Sequence, residues 1–325
     1  MVGEPFVSSH TPGVLSLDPR LKLRQSYLLG ISGGRDSVAL LHTLLAAGCR
    51  KLTLCHLNHQ TRGLFSSDDA AFVRDLAEKN GLPFEIGRMN VPRLAEQQGH
   101  SLETAARQAR HQFFAECAKR SKCSSLLLAH HGDDNAETIL FNLFRGSAGL
   151  KGMRFSSKLK VDRRKLTILR PFLQILRSEI DDFAEETSMF YRDDATNFEP
   201  IATRNRLRNE AIPLLEHIMD RDPVPGILRA AAICNEQEDA LEDLLEHLQL
   251  IDPQGRLFLP KLRALPETLQ RRALFNYLKA NKIKDLSADL LNRCLTLLDP
   301  ESPAKENLPG KKFLRRRASR LFVDK

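Results

Sequence analysis

The segment Tyr27-Leu28-Leu29-Gly30-Ile31-Ser32-Gly33-Gly34-Arg35-Asp36-Ser37 decides how this chain is built. Its first five residues are an apolar run with the length and bulk of a buried strand, and beyond it Val38, Leu41, Leu44 and Leu45 recur at helical spacing until Gly48. The order is therefore strand, glycine turn, helix. Gly33 and Gly34 carry no Cβ, so the turn can bring backbone N–H groups close to a ligand at the positive end of a helix, which suits phosphate. Neither G-x-x-x-x-G-K-[ST] nor G-x-G-x-x-G is present, which removes the ordinary NTPase cradle and the dinucleotide fingerprint. Asp36 places a negative charge where phosphate would sit. A Mg²⁺ ion held by this carboxylate and by nucleotide phosphates reconciles the two.

The same alternation continues outward from the turn. Lys51 to His56 predicts a second strand, and a helix follows from Ser67-Asp68 to a stop at Asn80-Gly81. Pro83 to Met89 predicts a third strand, Ser101 to Lys119 a long helix, Ser125 to Ala129 a fourth strand, and Asp133 or Asp134 opens another helix. Near-continuous apolar strands alternating with helices predict an α/β fold, a parallel-sheet nucleotide-binding domain with helices on both faces. Ligands of such sheets sit beyond the carboxyl ends of the strands.

Composition narrows the class. The chain has 325 residues, 42% hydrophobic and 28% charged, with a formal net charge of +8, which suits two domains and a polyanionic partner. No apolar run approaches the roughly 20 residues of a membrane span, and the first two dozen residues have no signal-like apolar core, so a cytoplasmic location without membrane partners is expected. The six cysteines never form C-x-x-C, which argues against a zinc ribbon or a sulfur-carrying cluster.

Three clusters fall at predicted strand ends or on the long helix: His56-x-Asn58-His59-x-x-Arg62; Glu103 with Arg107 and Arg110; and His130-His131-Gly132-Asp133-Asp134-Asn135-Ala136-Glu137-Thr138. His130 and His131 are sequence neighbours, and in an extended chain they point apart. The order S-G-G-x-D-S, H-x-N-H-x-x-R, E-x-A-A-R-x-A-R, L-A-H-H-x-D-D-x-A-E-T resembles the tRNA(Ile)-lysidine synthetases, members of the PP-loop ATP pyrophosphatases. The resemblance continues through Arg145-Gly146-Ser147, Arg170-Pro171-Phe172, Arg177-Ser178-Glu179-Ile180, Asp194-Ala195-Thr196-Asn197 and Arg204-Asn205-Arg206-Leu207-Arg208. Two positions depart from it: Asn135 stands where the family has Gln, and His111 where it has Tyr.

The resemblance implies ligation of free L-lysine to C2 of the wobble cytidine in the CAU anticodon of an isoleucine tRNA, driven by ATP with Mg²⁺. By the same resemblance Ser32, Gly33, Gly34, Arg35, Asp36, Ser37 and His56 hold ATP, and Asp36 holds the metal. Asp133, Asp134 and Glu137 take the lysine ammonium groups, and Asp36, His130, Asp134, Arg107 and Arg110 form the catalytic set, with His130 as base. Two other readings share the ATP chemistry, a tRNA-thiolating enzyme and a small-molecule amide-forming synthetase. The first wants paired cysteines, and the second leaves the basic segments unused.

The domain expectation is an N-terminal extension at 1–24, the catalytic domain at 25–219, a Pro/Asp/Gly linker at 220–226 and a mostly helical tRNA-binding domain at 227–325. Helices are predicted for Gly226 to Leu250, Thr268 to Ala280 and Leu286 to Leu298. The basic tail Lys311-Lys312-Phe313-Leu314-Arg315-Arg316-Arg317 is expected to neutralise tRNA phosphates together with Arg204, Arg206 and Arg208. A homodimer is left open.

Overall fold

A computed structural model describes residues 15–60, 65–147, 149–192 and 203–324. The chain divides into two compact units, Met1–Cys234 and Asn235–Lys325. The first begins with β1 (Tyr27–Gly30), α1 (Arg35–Ala46), β2 (Leu52–Asn58), α2 (Phe65–Lys79) and β3 (Phe84–Arg88). It continues with α3 (Val91–Gln98), α4 (Leu102–Arg120), β4 (Ser125–Leu127) and α5 (Gly132–Phe144). After these come β5 (Ser156–Val161), β6 (Arg164–Leu169), α6 (Arg177–Glu186), α7 (Thr203–Arg206), a π-helical turn (Leu207–Ala211) and α8 (Ile212–Met219).

The six strands lie in the order β3-β2-β1-β4-β6-β5, parallel except for β5, which pairs antiparallel with β6. Burial alternates along β1. Tyr27, Leu29 and Ile31 join the core formed with α1 and α6, whereas Leu28 joins the opposite core with Phe113 and Phe114 of α4. Both faces are thus covered, as the apolar strands predict. Strand order reverses between β1 and β4, and this switch point opens a crevice at the carboxyl ends of the two strands.

The β5–β6 hairpin was not expected. Its strands are rich in Lys and Arg, and β5 alternates exposed and half-buried residues, the pattern of a solvated edge strand. The expected linker at 220–226 is a turn only as far as Pro223. From Val224 the chain is already in α9 (Val224–His247), with Gly226 inside the helix.

The second unit departs from a mostly helical domain. Besides α10 (Leu259–Arg263), α11 (Glu267–Ala280) and α12 (Ala288–Thr296), it holds a four-stranded antiparallel sheet. Its strands, β7 (Leu257–Phe258), β8 (Lys305–Leu308), β9 (Lys312–Arg317) and β10 (Arg320–Asp324), lie in the order β7-β10-β9-β8. The basic tail is therefore a strand, β9. Leu257, Leu308, Leu314 and Leu321 from the sheet's inner face pack with Leu262, Leu274, Leu278, Leu290 and Cys294 of the helices. Lys311, at φ 59°, and Ala318 with Ser319, at φ 48° and 57°, make the turns at either end of β9.

Candidate active site

Gly33 sits at φ 94°, a conformation a side chain would strain, and a Cβ there would come within 3.3 Å of the Phe72 ring. The turn is laced by its own serines. Ser37 Oγ donates to Gly34 O at 2.8 Å and accepts from Ser32 N at 3.2 Å, and Gly34 N donates to Ser32 Oγ at 3.2 Å. Ser32 and Ser37 thereby shape the turn at the N-terminus of α1. Arg35 turns aside to an ion pair with Asp181 of α6. His56 is buried behind the turn with Nδ1 2.9 Å from Ile31 O, and burial pushes its pKa down, so this ring braces the tip of β1.

The tip of β4 meets this turn across the switch point. His131, 3% exposed, places Nε2 3.8 Å from Asp36 Oδ2 and 3.6 Å from Asp134 Oδ2, and Nδ1 3.4 Å from Asp133 Oδ2. Burial opposes charge on the imidazole, but the neighbouring carboxylates of Asp133, Asp134 and Asp36 outweigh it, so its pKa rises. Asp133 Oδ2 also accepts from Arg177 N at 2.8 Å, at the start of α6. Asp134 Oδ2 accepts from His131 N at 3.2 Å. Asp133 and Asp134 are both held below the usual carboxylate range: burial pushes upward, and His131 and the neighbouring donors overcome it.

His130 points the other way. It lines a cavity of about 530 Å³ between α4, α5, β4 and β6, with Glu103, Arg107, Arg110, His111, Arg170 and Arg204 around it. Burial, aided by Arg170, Arg110 and Arg204 against the pull of Asp134, lowers its pKa to about 4, and its Nδ1 has no hydrogen-bond partner. The proposed catalytic residues thus divide into two groups, Asp36 and Asp134 around His131 in the crevice, and His130, Arg107 and Arg110 around the cavity.

Two sequence expectations change at the arginine-rich segment and the tail. Arg208 does not face outward for RNA: its Nη2 donates to Asp134 Oδ1 at 2.8 Å and its Nε to Glu137 Oε1 at 2.5 Å. Arg204 points inward as well, donating to Thr138 Oγ1, while Arg206 pairs with Glu210 at the surface. In β9, side-chain direction alternates, so Arg316 turns away from Arg315 and Arg317. It donates to the carbonyls of Leu297 at 3.1 Å, Pro300 at 2.7 Å and Ser302 at 2.6 Å, and also to Asp299 O. That places it as a brace of the turn after α12. Lys312 Nζ donates to Asn281 O at 3.1 Å and Arg315 pairs with Asp324 at 2.9 Å, while Lys311 and Arg317 are exposed.

Sequence reasoning passed over His131 in favour of His130, although strand alternation at the β4 tip was the signal that separates them. It also left Arg170 out of the site, and the Arg-Pro-Phe motif carrying it was the clue. Asn135, the shortened amide, is buried and accepts from Met153 N at 2.6 Å, with Gly152 packed so tightly that a Cβ there would strike its Oδ1. Its part is to fasten the loop before β5 to α5. The Asp194–Asn197 motif and Arg62 lie outside the described residues.

Among the described residues no group of three or more His, Cys, Asp or Glu is arranged to hold a metal by itself. Asp36 suits a shared ion instead. Its side chain is 37% exposed at the rim of the turn, and its neighbours Arg35 Nε at 3.5 Å and His131 Nε2 at 3.8 Å stand beyond metal-ligand distance of its oxygens.

A parallel sheet, a serine-laced glycine turn after its first strand and an acidic imidazole cluster across the switch point define a nucleotide-binding PP-loop domain, and residues 15–215 match the family model of that description. A tRNA(Ile)-lysidine synthase from Chlorobaculum tepidum is 34% identical over 288 residues, covering 85% of this chain and 83% of the relative. Within the PP-loop class, the chain belongs to the tRNA(Ile)-lysidine synthase family. The namesakes from Caldanaerobacter subterraneus and Bacillus subtilis are each 33% identical, over 87% and 85% of this chain, and the chain spans 61% and 60% of their lengths. Among solved structures, a U34-tRNA thiolase from Methanococcus maripaludis aligns with a TM-score of 0.51 at 18% identity, over 66% of this chain and 75% of that one, a likeness of fold alone.

Proposed function

We propose that this chain uses ATP to adenylate C2 of the wobble cytidine in the CAU anticodon of an isoleucine tRNA and lets the amine of free lysine displace AMP. The observation that carries the reading is the meeting of His131 with Asp36, Asp133 and Asp134, each within 4 Å of its ring nitrogens, across the switch point. Amides of the glycine turn at the N-terminus of α1 receive the nucleotide phosphates. Asp36 would hold Mg²⁺, which supplies charge relief as pyrophosphate leaves. His131, whose pKa the surrounding carboxylates raise, sits in a fixed position beside that charge and costs no reorganisation when the charge develops.

The cavity beside His130 takes the flipped cytidine. Arg107 and Arg110 orient it through the planar guanidinium, and the surrounding arginines favour the phosphate that accompanies it. His130 stays neutral at pH 7 with Nδ1 unpartnered, so it can accept a hydrogen bond from the attacking amine and orient it, while the arginines around the cavity disfavour the charged ammonium. Asp134 and Glu137 take the lysine ammonium charge. In the second unit, the exposed cations Lys305, Lys311 and Arg317 hold tRNA phosphates.

The test is ATP turnover by the purified chain with lysine and tRNA each omitted in turn, followed by mass analysis of the anticodon nucleoside. The expected result is AMP only when tRNA is present and a lysine-sized mass gain on cytidine. AMP formed with lysine alone would identify an amino-acid activator instead. Asp36→Asn is expected to abolish turnover without lowering Tm, because the carboxylate sits at the rim of the turn; full activity in that variant defeats the role given to Asp36.

A further inference from the structure

Two of the three carboxylates that the resemblance assigns to the lysine ammonium groups, Asp134 and Glu137, already hold a cation. Arg208 spans them with one fork, Nη2 on Asp134 Oδ1 at 2.8 Å and Nε on Glu137 Oε1 at 2.5 Å, and the Glu137 side chain is 4% exposed. Carboxylates this enclosed are costly to leave charged and unpaired; burial pushes the Glu137 pKa up, and a positive group at the site is what keeps the pair ionised. Arg208 lies in the π-helical turn Leu207–Ala211, an irregularity that recurs at functional sites because it breaks the regular ladder of helical hydrogen bonds. The other oxygen of Asp134 accepts from His131 N at 3.2 Å, so Arg208 and this amide hold both oxygens of that carboxylate.

Resting on the lysine-dependent reaction proposed above, we propose that Arg208 is the resident counter-cation of the amino-acid subsite and that the substrate's ammonium binds by displacing it. A swap of one positive charge for another leaves the buried pair neutralised. A ligand without an ammonium group cannot make that exchange, so Arg208 acts as a specificity-determining residue that admits only a cationic group to this subsite. Competition with Arg208 also sets the affinity for lysine below what two buried carboxylates would otherwise give.

Titration calorimetry of L-lysine into the whole chain with a non-hydrolysable ATP analogue tests this without requiring turnover. Arg208→Ala is expected to bind lysine roughly tenfold tighter, the scale of one charge-assisted hydrogen bond no longer competed for. Guanidinium chloride at non-denaturing concentration should return the variant to wild-type affinity, while equal NaCl should not. Arg208→Lys, a point charge without the fork, should fall between the two. Unchanged or weaker lysine binding in a folded Arg208→Ala, or an absence of guanidinium competition, overturns the exchange. Should Arg208→Ala not fold, Arg208→Gln keeps hydrogen bonding without charge and carries the same expected outcomes. Lysidine formation by the wild type with unaltered lysine affinity in the variant sinks the exchange alone, whereas a wild type that neither binds lysine nor makes lysidine sinks the underlying reading with it.

Discussion

His130 and His131 are adjacent in sequence and opposite in electrostatics, because chain alternation sends one ring toward arginines and the other toward carboxylates. The pH dependence of stability follows from that split. Burial, with arginine neighbours, holds His59, His111 and His130 at about 4, against 6.5 in the unfolded chain. Between those values the unfolded chain takes up protons that the folded chain refuses, so stability falls as pH is lowered through the window. His131 has the opposite sign: its stabilisation is complete below 6.5 and is lost as pH rises through its raised folded value. Thermal unfolding from pH 7 to pH 4 is expected to show Tm falling with acid, and His130→Gln to flatten that slope. A slope unchanged in His130→Gln would refute the protonation state assigned to this ring.

At the level of the element, legibility in the sequence followed hydrophobic contrast. The strands β1, β2 and β4 are apolar runs inside a sheet covered on both faces, so length and bulk located them, and the glycine turn after β1 marked the carboxyl end where the site lies. β9 has Leu314 as its one aliphatic residue, and its period of two is written in which basic side chain turns inward, a contrast that hydropathy does not register. Charge alone therefore read Arg315, Arg316 and Arg317 as equivalent, and the fold makes them different. Arg316→Ala removes a guanidinium that satisfies a row of carbonyls after α12, and it should cost about 1–3 kcal/mol, seen as a lower midpoint in urea unfolding. Arg317→Ala, at an exposed position, should stay within about 0.5 kcal/mol of the wild type. Equal losses in the two variants would defeat the assignment of Arg316 as a brace.

Across the whole molecule, the chemistry and the exposed cations belong to different units: the crevice lies within Met1–Cys234, and the basic sheet within Asn235–Lys325. The register of that sheet lines up Lys305, Arg315 and Phe322 in one row and Arg317, Arg320 and Phe258 in the next, which gives its outer face an interleaving of cations and rings. Not all of these charges are available to a polyanion. Arg315 is paired with Asp324 and Arg320 with Asp252, each at 2.9 Å, while Lys305 lies over the Phe313 ring at 3.6 Å. Lys305, Lys311 and Arg317 have no carboxylate partner among the described residues, so they are the cations whose counterions a bound tRNA would release. Each phosphate contact contributes about 0.9 to the slope of log K against log salt for a duplex and about 0.7 for a single strand. Replacing all three by Ala is therefore expected to lower that slope for tRNA by about 2 to 3, with the loss of affinity shrinking as salt is raised. Asp36→Asn, which changes the nucleotide site in the other unit, should leave the slope where it was. Fluorescence anisotropy with labelled tRNA over a salt series measures both, and a triple variant with the wild-type slope would remove the sheet from the RNA-binding surface.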